Sequence, residues 1–248
     1  MKKVLITGAS SGIGYSLAEV HAKNSYDLVL VARRESLLLE LKDKLEKKYP
    51  ISVTIESMDL SIEDNQKNLW KKHKNVNILI NNAGFGDFGE FVESSLEKEI
   101  NMINLNITAL VTLTKLFASS MKKGDKIINV GSTAGFQPIP LMSVYGASKS
   151  FVVDFTLAIQ QEIQTPQIVL FCPGETQTEF QAVARRPKSS ILRGKIPSSN
   201  EVALNLFNEL QRDKNFIIWG RYNKILLFFQ RIFSKNIVAK IIYKTQKR

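Results

Sequence analysis

Thr7-Gly8-Ala9-Ser10-Ser11-Gly12-Ile13-Gly14 follows the apolar run Val4-Leu5-Ile6 and opens onto a helix-like segment beginning near Ile13. A strand that turns into a helix through three glycines has a mechanical logic. Gly8 permits a tight exit from the strand, Gly12 lets backbone approach a pyrophosphate, and Gly14 allows the helix to pack closely on a sheet. The free N–H groups and positive dipole end of such a helix then face an anion. A glycine triplet alone also fits a tight turn with no ligand. Its place after the first strand is what favours phosphate binding.

Short apolar runs recur on either side of this turn, at residues 4–7, 27–32, 52–58, 76–81, 126–131 and 167–172, with a final strand expected at 216–219. They are rich in Val, Ile and Leu and show little polar alternation, as strands buried on both faces of a parallel sheet do. Helix-like segments separate them. Residues 36–49 carry Leu37, Leu38, Leu41 and Leu45 at helical spacing among charges, and Pro50 stops the helix. Strand–helix alternation of this kind predicts an α/β doubly wound parallel sheet. No internal repeat and no Gly/Ser- or Pro-rich linker interrupts it, so a single domain over 1–248 is expected. Its core motifs lie in 1–180, a substrate-covering loop in 181–200 and a basic amphipathic helical tail in 221–248.

Composition narrows the class. The 248 residues are 44% hydrophobic, enough for a sizeable core, and the formal charge is +11. No acidic residue follows Asp213, while Lys214, Arg221, Lys224, Arg231, Lys235, Lys240, Lys244, Lys247 and Arg248 do, so the excess belongs largely to the tail. The lone cysteine, Cys172, excludes an intramolecular disulfide. The apolar run after Met1-Lys2-Lys3 is shorter than the roughly 7–15 residues of a signal peptide. Both features lead us to expect a cytoplasmic protein. No uninterrupted run of about 18 apolar residues supports a spanning helix. His21 and His73 stand away from the motifs and are expected at the surface, and no metal site is expected.

The second strand ends Val31-Ala32-Arg33-Arg34. In dinucleotide folds an acidic residue at this point binds the ribose hydroxyls of NAD, whereas arginine accommodates the 2′-phosphate of NADP. Here the acidic position is Ala32, and Arg33 follows. A guanidinium grips phosphate with paired hydrogen bonds, so NADP(H) is preferred over NAD(H). Ser10 and Ser11 are candidates for further hydroxyl contacts, and Arg34 reads as a solvated charge.

Further motifs lie downstream: Asn81-Asn82-Ala83-Gly84, Asn106, Ser132, Tyr145-Gly146-Ala147-Ser148-Lys149 and Pro173-Gly174. With residues 7–14 they stand in the order and spacing of the short-chain dehydrogenase/reductase family, which the chain resembles over about residues 2–180. The resemblance implies a Rossmann-type sheet and an enzyme that interconverts an alcohol and a ketone or aldehyde. It implies a catalytic set of Asn106, Ser132, Tyr145 and Lys149, with Asn106 positioning a water. Asn104 competes with Asn106, and Ala109 stands where the family usually has glycine. For the cofactor it implies contacts from Gly8, Ser10, Ser11, Gly12, Ile13, Gly14, Arg33, Asp59, Leu60, Asn81, Ala83, Gly84, Tyr145, Lys149, Pro173, Gly174 and Thr178. One asparagine of the 81–84 turn is expected to be structural instead.

Residue chemistry is consistent with that set. A free tyrosine titrates near about pH 10 and is a poor base. Lys149, four residues after Tyr145, falls on the same helix face, where an ammonium lowers the tyrosine pKa. A serine just past a strand can hydrogen-bond developing charge on a substrate oxygen. Phe85, Phe88, Phe136, Pro138, Ile139 and Met142 suggest apolar pocket walls and an apolar substrate.

Three explanations compete for the tail: packing over the cleft, a subunit interface, or contact with an anionic membrane. Its charge allows non-specific nucleic-acid affinity, but no base-reading motif is present. A homodimer or homotetramer is expected by resemblance. The alternatives to an NADP(H)-dependent oxidoreductase are a cofactor-binding regulatory or membrane-associated protein without turnover, and a different reaction, such as epimerisation, on the same fold.

Overall fold

The computed structural model describes residues 1–185, 196–230 and 233–247. The first half alternates β1 (Lys3–Thr7), α1 (Gly12–Lys23), β2 (Asp27–Ala32), α2 (Glu35–Lys48), β3 (Val53–Ser57), α3 (Glu63–His73) and β4 (Ile78–Asn81). Next come α4 (Leu96–Ile103), a π-helical turn (Asn104–Ala109), α5 (Leu110–Ala118), β5 (Lys126–Val130), α6 (Ser143–Glu162) and β6 (Gln167–Cys172). The chain continues with α7 (Phe180–Val183), α8 (Ser199–Leu210), β7 (Phe216–Ile218), α9 (Arg221–Gln230) and α10 (Lys235–Gln246). All seven strands are parallel, in the order β3-β2-β1-β4-β5-β6-β7.

This order explains the unbroken apolar strands. Alternate side chains of one strand enter opposite layers. Val4 and Ile6 join Leu17 of α1, Leu38 and Leu41 of α2, and Val202 and Leu206 of α8. Leu5, between them, faces Leu69 of α3, Leu113 and Phe117 of α5, and Ile159 of α6. Both faces of the central strands are covered, so a polar residue there needs a partner, as Asn81 of β4 and Asn129 of β5 have in each other; edge strand β3 is partly exposed and carries Thr54, Glu56 and Ser57. α4, the π turn and α5 run on as Leu96–Ala118, long and apolar enough by composition to cross a membrane. Met102, Ala109, Leu113 and Phe117 are instead buried in the fold.

The chain leaves β1 toward β2 and β3, then returns to place β4 on the other flank of β1. Loops from the two halves therefore diverge at the carboxyl edge of β1 and β4, where such sheets open a ligand crevice.

Both histidines depart from the sequence expectation. His21 is fully buried: its Nδ1–H donates to the Leu17 carbonyl at 2.8 Å, and its ring lies edge-on to Tyr26 and Phe207. It occupies the same helical stripe as Gly14, Leu17 and Ala18, the face of α1 that packs inward. His73 is half-buried and meets Glu56 Oε1 at 2.8 Å.

After β7 the tail turns back to the crevice. Tyr243 donates its hydroxyl hydrogen to Glu90 Oε1 at 3.1 Å, and Lys247 pairs with the same oxygen at 3.2 Å. Much of the expected 181–200 loop, residues 186–195, lies outside the described residues.

Candidate active site

A cavity of about 560 Å³ fills the crevice at the carboxyl edge. One side is the turn between β1 and α1, where Gly8 has φ +69° and Gly12 φ +57°, a conformation that glycine adopts without strain. Ser11 stands at the N-cap position of α1 without a side-chain capping bond, and Ser10, Ser11, Gly12 and Ile13 line the cavity. Gly14 does not line it. A Cβ there would lie 2.2 Å from the Gly8 carbonyl oxygen, so this glycine lets the helix close onto its own turn.

The turn after β4 is tied to that loop. Thr7 Oγ1 accepts from the N–H groups of Asn82 and Ala83, both at 2.9 Å, and Asn82 Nδ2 donates to the Thr7 carbonyl at 2.9 Å. Ala83 and Gly84 reach the cavity wall, whereas Asn81 does not. Asn81 is buried beneath it, donating to Thr114 Oγ1 at 3.0 Å and to Asn129 Oδ1 at 2.9 Å. It braces β4 against β5 and α5. Asn82, its neighbour, is the residue that positions the glycine turn.

At the far end, beyond β2, stand Arg33, Arg34, Asp59 and Leu60. Arg33 is 3.6 Å from Asp59. The Asp59 carboxyl also accepts from the Ser61 N–H and hydroxyl at 2.9 and 2.8 Å. Burial pushes this carboxyl up, but the Ser61 hydrogen bonds and the Arg33 charge outweigh burial and leave it below the usual range. Arg34 is exposed, as expected of a solvated charge, but it is also paired. It donates to Ser10 Oγ at 3.2 Å and to Glu179 Oε2 at 2.9 Å, linking the glycine turn to the segment after β6. Two guanidinium groups at this end, beside a glycine turn at a helix start, fit the phosphates of a dinucleotide.

The opposite half is built on α6. Tyr145 and Lys149 are one helical turn apart, and both line the cavity. Lys149 is buried and donates to the Val130 carbonyl at 2.9 Å. Burial lowers its pKa to about 8, still above neutrality, so the ammonium keeps its charge near pH 7. The Tyr145 ring packs against Phe180, centroids 5.0 Å apart. Ser132, directly after β5, lines the same wall, its Oγ accepting from the Ala134 N–H at 3.1 Å.

Asn106 lies in the π-helical turn, a deviation that frequently marks functional sites. Its carboxamide is buried and committed: Nδ2 donates to the Phe85 carbonyl at 3.0 Å and to Ser148 Oγ at 3.1 Å, and Oδ1 accepts from Phe85 N–H at 3.2 Å. The side chain holds the segment after Gly84 in place rather than entering the cavity.

After β6, Pro173, Gly174 and Thr178 complete the wall. A Cβ on Gly174 would lie 2.4 Å from Asn223 Nδ2, so this glycine lets α9 close on the turn. Cys172 is buried, which pushes its thiol up to about 12 and leaves it unreactive. Of the expected apolar walls, Phe85, Ile139 and Met142 line the cavity, whereas Phe136 packs beside β7 against Phe216. Phe180, Leu227, Ile242 and Gln246 also line it, the last three through the tail, for which packing over the cleft was one of the three expectations. The amphipathic tail pointed to such packing without deciding it, whereas Phe180 carries no local signal, because its approach to Tyr145 depends on the segment after β6.

Comparison with known proteins agrees with this architecture. A family model described as short chain dehydrogenase matches residues 2–189. The NADP-dependent 3-hydroxy acid dehydrogenase of Schizosaccharomyces pombe is 33% identical over 233 residues, covering 88% of this chain and 90% of that protein. A short-chain dehydrogenase from Sphingobium yanoikuyae in complex with NADPH superposes with a TM-score of 0.82 at 30% identity, covering 93% of this chain and 94% of that one. A short-chain dehydrogenase/reductase from Burkholderia phymatum in complex with NAD gives 0.78 at 25% identity, covering 91% of each chain. The chain belongs to the short-chain dehydrogenase/reductase family of NAD(P)-linked oxidoreductases acting on CH–OH and carbonyl groups.

Proposed function

We propose that this protein is an NADP(H)-dependent oxidoreductase that interconverts an apolar alcohol and the corresponding ketone or aldehyde, with Tyr145 as general acid and base. The observation that carries the reading is the shared wall: Ser132, Tyr145 and Lys149 line the same cavity as the glycine turn and the two arginines. Gly8, Ser10, Ser11, Gly12, Ile13, Ala83, Gly84, Pro173, Gly174 and Thr178 would hold the dinucleotide, with Asp59 and Leu60 at its adenine end. Arg33 and Arg34 would grip a 2′-phosphate, which supports NADPH over NADH. When bound, the reduced nicotinamide supplies the hydride.

The chain's own groups manage the proton and the charge. The Tyr145 phenol delivers its hydrogen to the developing alkoxide in reduction and takes one from the alcohol in oxidation. The Lys149 ammonium, buried one helical turn away, favours tyrosinate and brings the phenol closer to working pH. Ser132 hydrogen-bonds the substrate oxygen and stabilises charge building there. Asn106 acts through the segment it braces. Phe85, Ile139, Met142, Phe180, Leu227 and Ile242 exclude water from the substrate end, and that composition favours a medium-sized apolar substrate.

Consumption of NADPH and of NADH, measured side by side with a panel of ketones and aldehydes, tests the reading. NADPH-dependent turnover that falls at least about a thousandfold in Tyr145→Phe, with NADPH affinity kept, is expected when the proton donor is removed. Binding of NADPH with no turnover across a broad panel returns the protein to a regulatory role.

A further inference from the structure

Both tail helices have two faces. On α9, Asn223 and Leu227 are buried and line the cleft, while Tyr222, Lys224 and Ile225 are exposed. On α10, Ile242 and Gln246 line the cleft. Ile237, Lys240, Ile241 and Lys244 follow each other at helical spacing on the opposite side, and all four are exposed. Ile237 is 48% and Ile241 57% exposed, and Phe233, just before the helix, is 55% exposed. A soluble protein leaves single apolar side chains outside, but a cluster framed by lysines is a different matter. The tail itself contributes only basic charge, since no Asp or Glu follows Asp213, and Glu90, an acid it meets, is paired with Lys247 and Tyr243.

We propose that the outer faces of α9 and α10 dock on an anionic lipid bilayer. Apolar side chains enter the boundary between headgroups and acyl chains, while lysine stems lie along it with their ammonium groups among the phosphates. Charge complementarity selects this occupant: a wholly basic stripe is attracted to acidic lipid. The inner faces of the same helices form one wall of the cleft, so that wall lies directly behind the lipid-facing side.

Sedimentation of the full-length protein tests this with vesicles of phosphatidylcholine and phosphatidylserine at 3:1, and with vesicles of phosphatidylcholine alone. Binding to the acidic vesicles is expected, weakening as salt rises. It should fall more than about tenfold in Lys240→Glu/Lys244→Glu, since each basic group near the surface contributes a factor of about five. Ile237→Asp/Ile241→Asp should also lose it. Circular dichroism and thermal unfolding establish that both variants are folded. Four outcomes overturn the proposal: no sedimentation, equal sedimentation with both lipids, variants that sediment like the parent, or concentration-dependent self-association that the variants abolish without any vesicle binding. None of these readouts requires turnover, so a failure here is distinguishable from a failure of the oxidoreductase reading.

Discussion

His21 shows how one side chain couples the fold to pH. Burial holds its imidazole pKa at about 4, below the ordinary 6.5, because a charged ring would be stranded among apolar neighbours. Folding therefore favours the neutral ring. Its contribution is complete above pH 6.5 and is lost as pH falls from there toward 4. The loss amounts to about 3 kcal/mol for this site. Chemical denaturation across that range should show it, and His21→Phe, which keeps an aromatic ring beside Tyr26 and Phe207, should flatten that part of the profile. The burial itself was readable: His21 falls at the spacing of Gly14, Leu17 and Ala18. Its distance from any motif instead suggested a surface position. Arg34 was not readable in this way. Its partner Glu179 lies 145 residues further on, and no local pattern reports such a contact.

At the scale of elements, the sheet was the most legible part. Strands covered on both sides are mostly apolar, so β2 and β6 could be placed at Asp27–Ala32 and Gln167–Cys172, where they occur. The join between β1 and α1 was equally legible, because a helix that starts immediately after a strand needs glycine where backbones meet. Gly14→Ala tests that join. Its Cβ would meet the Gly8 carbonyl and Asn82 Nδ2, neither of which can retreat without moving the turn. A loss of about 1–3 kcal/mol of stability is expected, together with weaker NADPH binding, read by thermal unfolding and by titration. The π turn at Asn104–Ala109 was not read from the sequence, where the resemblance pointed only to Asn106 within it.

The whole molecule carries a second set of exposed apolar residues, well apart in sequence from the tail. Leu96 and Ile100 on α4 and Phe151 on α6 stand out to solvent, and Phe151 stacks on Phe155 with centroids 5.6 Å apart. α4 and α6 are in contact with each other, and we propose that a second copy of the chain covers this face. Ile100→Asp/Phe151→Asp should convert a dimer to monomers in sedimentation velocity without changing the sheet or the tail. A parent protein that is already monomeric at micromolar concentration would contradict that assignment.

The return of the tail ties the segment proposed to meet lipid to the wall of the cleft. Because Leu227, Ile242 and Gln246 help enclose the cleft from within, α9 and α10 are not a detachable leash added to a finished fold. If the outer faces hold a bilayer as proposed, a substitution that retunes that attachment also reshapes what the cleft can grip, and selection on either property is felt by the other.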